Sequence, residues 1–232
     1  ALTNESLSSD TASNAVFSTL KDRNGNSLNI QASDTITMSV VKEGKTTTFS
    51  VRGSEALSTL TAKSTDLAAA IDTGATIGSD VAGDTVKTAD GGNAITIHAK
   101  AAGVTQQISG LTFSVTNTKG AVQKSANAVL DNFSESIRAQ ATSNDNAINL
   151  QVGTKANQSI RVGLTDMRAE ALGLQSSSGA TIQIGTQQQA NAAVNVLDNA
   201  VQKALDQQTT IGSVESRLEY TSSNLTTASE NV

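Results

Sequence analysis

The spacing of apolar positions changes period several times along the chain. Residues 35–41 ("TITMSVV") and 46–53 ("TTTFSVRG") alternate with period two on either side of "KEGK" (42–45), which predicts a β-hairpin. Residues 54–72 switch to helical spacing, with Leu57, Leu60, Leu67, Ala70 and Ile71 on one side and Ser54 as N-cap. Residues 94–100 ("AITIHAK") and 111–117 ("LTFSVTN") return to alternation, predicting a second hairpin. Two hairpins with a helix between them would make a sheet with one covered face. Val122, Ala126, Val129, Leu130, Phe133 and Ile137 predict a helix over 119–142. "AINLQVG" and "QSIRVGL" flank "TKAN", which predicts a further hairpin over 147–164. "TDMRAEALGL" (165–174) predicts a short helix opened by Thr165 and Asp166 and closed at Gly173. Residues 1–20 are rich in Ser, Thr and Asn and predict a lead-in segment with helical character over 12–20.

The last stretch, 187–232, predicts one long helix. Ala190, Leu197, Ala204, Ile211, Leu218, Leu225 and Val232 recur every seventh position, a coiled-coil pattern with left-handed supercoiling. The positions between include Val194, Val201 and Val214, but also Gln207, Gln208, Thr221 and Ser222. So narrow a stripe does not hold a helix in water by itself, because helical stability comes mainly from packing an apolar face. The helix at 119–142 covers about half its length. The remaining partner therefore lies outside this chain, or much of the helix stays exposed. Ala190, Leu197, Ala204, Ile211, Val214, Leu218 and Leu225 are the candidate packing residues. The expected fold is α+β: a lead-in at 1–20, a self-contained α+β unit at 21–118, and a helical part at 119–232 made of a helix, a hairpin and the long helix.

Composition narrows the functions. Of 232 residues, 37% are hydrophobic and 2% aromatic, with no Trp and one Tyr, so cores must be thin and aliphatic. The net charge of −5 argues against a nucleic-acid partner, which needs a basic face. No apolar run is long enough to span a membrane, and no signal peptide opens the sequence. Cys and Pro are both absent, which removes disulfides, thiolate metal sites and slow prolyl isomerisation. Such a chain suits travel in an unfolded state followed by rapid refolding.

Catalytic chemistry finds little support. His98 is the single histidine, so a Ser-His-Asp triad would have to use it; a half-exposed strand residue is the plainer reading. No H-E-x-x-H is present. "DRNGNS" (22–27) begins like a calcium loop, with Asp22, Asn24 and Asn26 alternating, but its Gly falls too early and position 33 is Ser, so a tight turn at Asn24-Gly25 is expected. Asp72, Asp80, Asp84 and Asp90 read as solvated loop acids. No cofactor or metal is expected.

Two stretches resemble bacterial flagellins. "NLQVGTKANQSIRVGLTDMRAEALGL" (149–174) is similar to the family's hairpin segment, L-Q-[VI]-G followed by D-M-R-A-x-A-L-G. "IGSVESRLEYTSSNLTTASENV" (211–232) is similar to its helix L-G-A-V-Q-N-R-L…N-L…A-x-E-N, matched by Gly212, Val214, Arg217, Leu218, Asn224, Leu225, Glu230 and Asn231. Residues 21–118 resemble, more loosely, the small inserted domains of flagellins and filament-capping proteins. The family's N-terminal motif L-S-S-G-x-R-I-N-x-A-x-D-D-A-A-G and its terminal I-R-D-x-D-x-A-x-E region are not in this sequence. The resemblance implies a non-enzymatic subunit of the bacterial flagellar filament, extracellular and exported without a cleaved signal peptide. It implies a piece of a longer protein whose N-terminal helical arm packs on 212–225, with other subunits as partners and an animal innate immune receptor as a further one. Glu215, Arg217, Glu219 and Asn224 would then face a neighbouring subunit or the receptor, and Gly212 would allow close approach. A hook–filament junction protein shares these features. A surface adhesin or carbohydrate-binding module would need an aromatic platform, whereas Phe17, Phe49, Phe113 and Phe133 are dispersed.

Overall fold

The computed structural model describes residues 1–11, 14–64, 95–99, 101, 103–139, 147–153 and 158–230. The hairpin expected over 35–53 is present as β2 (Thr35–Lys42) and β3 (Lys45–Arg52), paired from Thr35↔Arg52 to Lys42↔Lys45. Glu43 and Gly44 turn it with φ of 47° and 73°. Two left-handed residues give the tight turn whose twist matches that of the strands. On its other side β2 pairs antiparallel with β5 (Ile108–Thr116), giving the sheet order β3-β2-β5.

The second hairpin does not form. β4 (Ile95–Ile97) pairs with β1 (Leu2–Asn4), which also pairs with β6 (Phe133–Glu135). The resulting sheet, β4-β1-β6, draws on three distant parts of the chain. Residues 1–20 are thus built into the fold. Leu2, Leu7, Phe17 and Leu20 are almost wholly buried, and the helical character near 17 is one 3-10 turn, Phe17–Thr19. They join Ile36, Met38, Val40, Leu57, Leu60, Ile97, Leu111, Phe113, Leu130 and Phe133 in a single core. Phe113 and Phe133 stack with centroids 5.6 Å apart.

The helix expected over 119–142 is shorter. α2 spans Lys124–Leu130, and the chain then turns into β6; residues 140–142 lie outside the described part. Tertiary contacts outweigh propensity here. Asn4 Nδ2 caps the end of α2 by donating to Val129 O (2.8 Å) and Leu130 O (3.2 Å), and Phe133 pairs with Asn4 in the sheet. α1 covers Leu57–Ala62, starting later than Ser54 would have it; residues 65–94, with Leu67, Ala70, Ile71, Asp72, Asp80, Asp84 and Asp90, lie outside the described part. Residues 165–174 form turns rather than a helix. The stop signal is as expected: Gly173, at φ 79°, and Leu174 donate to Glu170 O and Ala169 O, a Schellman closure.

The outer edge of β5 is closed by side chains. Leu111 N–H donates to Asn195 Oδ1 (3.2 Å), Phe113 N–H to Asp131 Oδ1, and Val115 N–H to Asn127 Oδ1 (2.7 Å). Asn199 Nδ2 donates to Ser109 O (3.1 Å). Four side chains from α2, its C-terminal end and the long helix thereby stand where a fourth strand would be.

Candidate assembly surface

The long helix α3 runs from Gln187 to Glu230, 44 residues. A capping box starts it: Gln189 N–H donates to Thr186 Oγ1 (3.2 Å) and Thr186 N–H to Gln189 Oε1 (3.1 Å). Its first half rests on β2 and β5 through small residues. Ala192, Ala193, Val196 and Ala200 are buried, with Val41 beneath them. Contact is close enough that a Cβ on Gly110 of β5 would sit 2.6 Å from Val196 Cγ2. Polar anchors continue the same face. Lys203 is buried beside Glu135, and Gln207 Oε1 accepts from Thr165 N–H (3.0 Å).

The seven-residue series lies mostly on another face. Ala190 is half-buried and Ala204 exposed, while Leu197 is 50%, Ile211 47% and Leu225 45% exposed. Val194, Val201 and Leu205 stand out beside them. Val214 and Leu218 are half-buried because a hairpin stands over them. That hairpin is β7 (Ala147–Gln151) with β8 (Ser159–Gly163), paired Ile148↔Val162 and Leu150↔Ile160. Between it and α3 runs an apolar groove of about 730 Å³, lined by Ile148, Leu150, Val162, Leu164, Ile211, Val214 and Leu218 and rimmed by Glu215, Glu219 and Ser222. A second hollow of about 620 Å³ shares Leu218 and Ser222 and continues past Leu225 to Glu230.

Ile211, Val214 and Leu218 are thus brought together in the groove, with Leu225 in the hollow beyond. Leu197 and Ala204 lie outside it. Glu215 and Glu219 edge the groove; Arg217 and Asn224 are exposed but do not line it. The hairpin wall was not singled out from sequence, although Ile148/Leu150 and Val162/Leu164 each show the two-residue spacing of one strand face. Nothing described lies within 4 Å of where a Cβ on Gly212 would be, so the close approach implied for it involves no described part of this chain.

The catalytic candidates resolve into structure. His98 is 5% exposed, a buried residue after β4 rather than a half-exposed one. Asp22 folds back on its own loop, accepting from Asn24 N–H (2.9 Å), Asn26 N–H (2.8 Å) and Asn26 Nδ2 (3.0 Å). The Asn26 side chain, with backbone donors, holds its carboxyl below the usual range. Among the described residues no cluster of His, Cys, Asp and Glu is placed to hold a metal, and no helix is long and apolar enough to cross a membrane.

No family model and no solved structure matches the chain. Three curated relatives do. A flagellin of Clostridium tyrobutyricum is 31% identical over 37% of this chain and 22% of its own length. The flagellar filament core protein flaB2 of Brachyspira hyodysenteriae is 35% identical over 34% of this chain and 28% of its own. A flagellin of Bacillus subtilis (strain 168) is 26% identical over 56% of this chain and 48% of its own. The chain therefore spans between about a fifth and a half of the relatives it matches. With its α+β fold, its long helix and these three likenesses, the chain is flagellin-like.

Proposed function

We infer that the chain is part of a structural subunit of the bacterial flagellar filament, working outside the cell in motility and not as an enzyme. The observation that carries this reading is the open apolar groove between the β7–β8 hairpin and α3, continued by exposed apolar positions along the helix. Unpaired helix faces of this kind suit coiled-coil packing. The groove is filled in the assembled protein by an apolar helical arm supplied from the rest of the longer protein, with other subunits packing along the Leu197 side. Arg217 and Asn224, outside the groove, are left for contacts between subunits or with an innate immune receptor.

The test replaces Ile211 and Leu218 with Asp in the full-length gene. Filaments seen by electron microscopy, and swimming, are expected to be lost, while the chain described here keeps its cooperative melt. Normal filaments from the double variant would reject the groove as an assembly site.

A further inference from the structure

Three side chains meet in the interior between α3, β6 and the turn preceding β5. Lys203 and Gln107 are each 5% exposed, and the Glu135 side chain is 9% exposed. Lys203 Nζ lies 3.1 Å from Glu135 Oε1, 3.3 Å from Ala171 O and 3.4 Å from the terminal atom of the Gln107 carboxamide that faces it. Hydrogen bonding assigns the orientation of that carboxamide. Turned with its nitrogen toward Ala171 O (3.1 Å) and its oxygen toward Gly173 N–H (3.2 Å), the carboxamide shares that N–H with Glu170 O (3.0 Å) and sets its nitrogen beside Lys203 Nζ. The N–H can come so near because residue 173 is Gly: a Cβ there would meet the Gln107 amide terminus at 2.4 Å and Ser109 Cβ at 2.5 Å. Glu135 Oε2 is buried and makes no hydrogen bond among the described residues; Arg138 Nε is 3.9 Å away.

An amine, a carboxamide with a donor on its carbonyl oxygen, and a carboxylate touching the amine are the parts needed for acyl transfer. We propose that Lys203 and Gln107 become joined by an isopeptide bond, with Glu135 moving the protons. Glu135 Oε1 takes a proton from the Lys203 ammonium, and the freed lone pair on Nζ attacks Gln107 Cδ. Charge developing on the carbonyl oxygen is met by Gly173 N–H, as a fixed backbone donor meets an oxyanion. Glu135 hands its proton to Nε2 and accepts one of the two left on Nζ. The Cδ–Nε2 bond breaks, and the departing ammonia takes that proton from Glu135 and leaves as ammonium, carrying away the lysine's charge. One ammonium and one primary amide become one secondary amide and one ammonium, so neither oxidant nor cofactor is consumed. The amine already touches the terminus of the carboxamide, and the step requires Nζ to close on Cδ to about 3–3.5 Å. The bond ties α3 to a residue 96 positions earlier, in a chain without cysteine for a disulfide.

The test is the intact mass of the full chain followed by a tryptic map. The expected mass is short by one ammonia, with a branched peptide joining the Gln107 and Lys203 segments and no cleavage after Lys203. Lys203→Met and Glu135→Gln are expected at full mass with linear peptides only. A succinimide at Asn24-Gly25 would lose the same mass but leave every peptide linear. A wild-type chain at full mass, or one whose missing ammonia maps to a linear peptide, overturns the proposal. A Glu135→Gln chain that crosslinks as fast as wild type overturns the part given to Glu135.

Discussion

Asp131 shows how one residue couples packing to pH. It accepts the Phe113 N–H on the edge of β5, and burial pushes its carboxyl up to about 6 from 3.8. The folded state thus holds this proton more tightly than the unfolded chain does. The stabilisation from protonation is complete below about 3.8 and is lost as pH rises through about 6. Between those limits stability should increase on acidification, by on the order of 2 kcal/mol from this residue. Asp131→Asn keeps an oxygen for Phe113 and removes the charge. Thermal melts across that window should then be flatter and, at neutral pH, higher than wild type. A second residue-scale contrast separates core from groove. Met38 is fully buried, so Met38→Ala should cost about 2–5 kcal/mol in urea unfolding. Leu218 is half-buried beside an open groove, and Leu218→Ala should cost under about 1 kcal/mol in this chain. A loss at Leu218 as large as that at Met38 would mean its partner is already inside the chain.

At the scale of elements, α3 divides into a supported and an unsupported half. The supported half buries alanines and leaves Val194, Leu197, Val201 and Leu205 outside. Counting hydrophobic residues therefore marks the outward face of this helix, because side-chain size decided which face could approach the sheet. Beyond Gln207, among the described residues, the helix keeps partial cover where it faces the hairpin. Six hydroxyls between Thr209 and Thr227 donate to carbonyls three or four residues back along it. Gly212 adds flexibility with no packing gain against the described residues. Gly212→Ala should raise stability of this segment by about 0.5–1 kcal/mol, read as slower amide exchange over 208–230. Unchanged exchange would show that something already constrains the position. Elements with strong local signals were legible: the hairpin at 35–53 from its alternation and Glu-Gly turn, and α3 from its seven-residue recurrence. β1 and β6 were not, since "LTN" and "FSE" are strands only because each finds the other across the chain. The groove was half legible, in the helix but not in the hairpin that walls it.

For the whole molecule, the partition suggested by sequence pattern is not followed by the core. Leu2, Leu7, Phe17 and Leu20 from the start of the chain, and Ala126, Leu130 and Phe133 from beyond 118, pack into the same cluster as β2 and β5. Excising residues 21–118 should therefore abolish the cooperative melt of what remains, as followed by far-UV circular dichroism; a retained transition would reveal an independent second core. The same integration explains why residues 1–20 resembled a lead-in: their apolar residues are few, and each is spent on contacts that local pattern cannot display. The closed edge of β5 has a consequence at still larger scale. An assembly of identical chains sets identical sheet edges near one another, and a bare edge can recruit its own copy without limit. Here the backbone donors of Leu111, Phe113 and Val115 are already occupied by Asn195, Asp131 and Asn127. Copies that met at this edge would find its donors taken, so it offers no template for strand-by-strand addition.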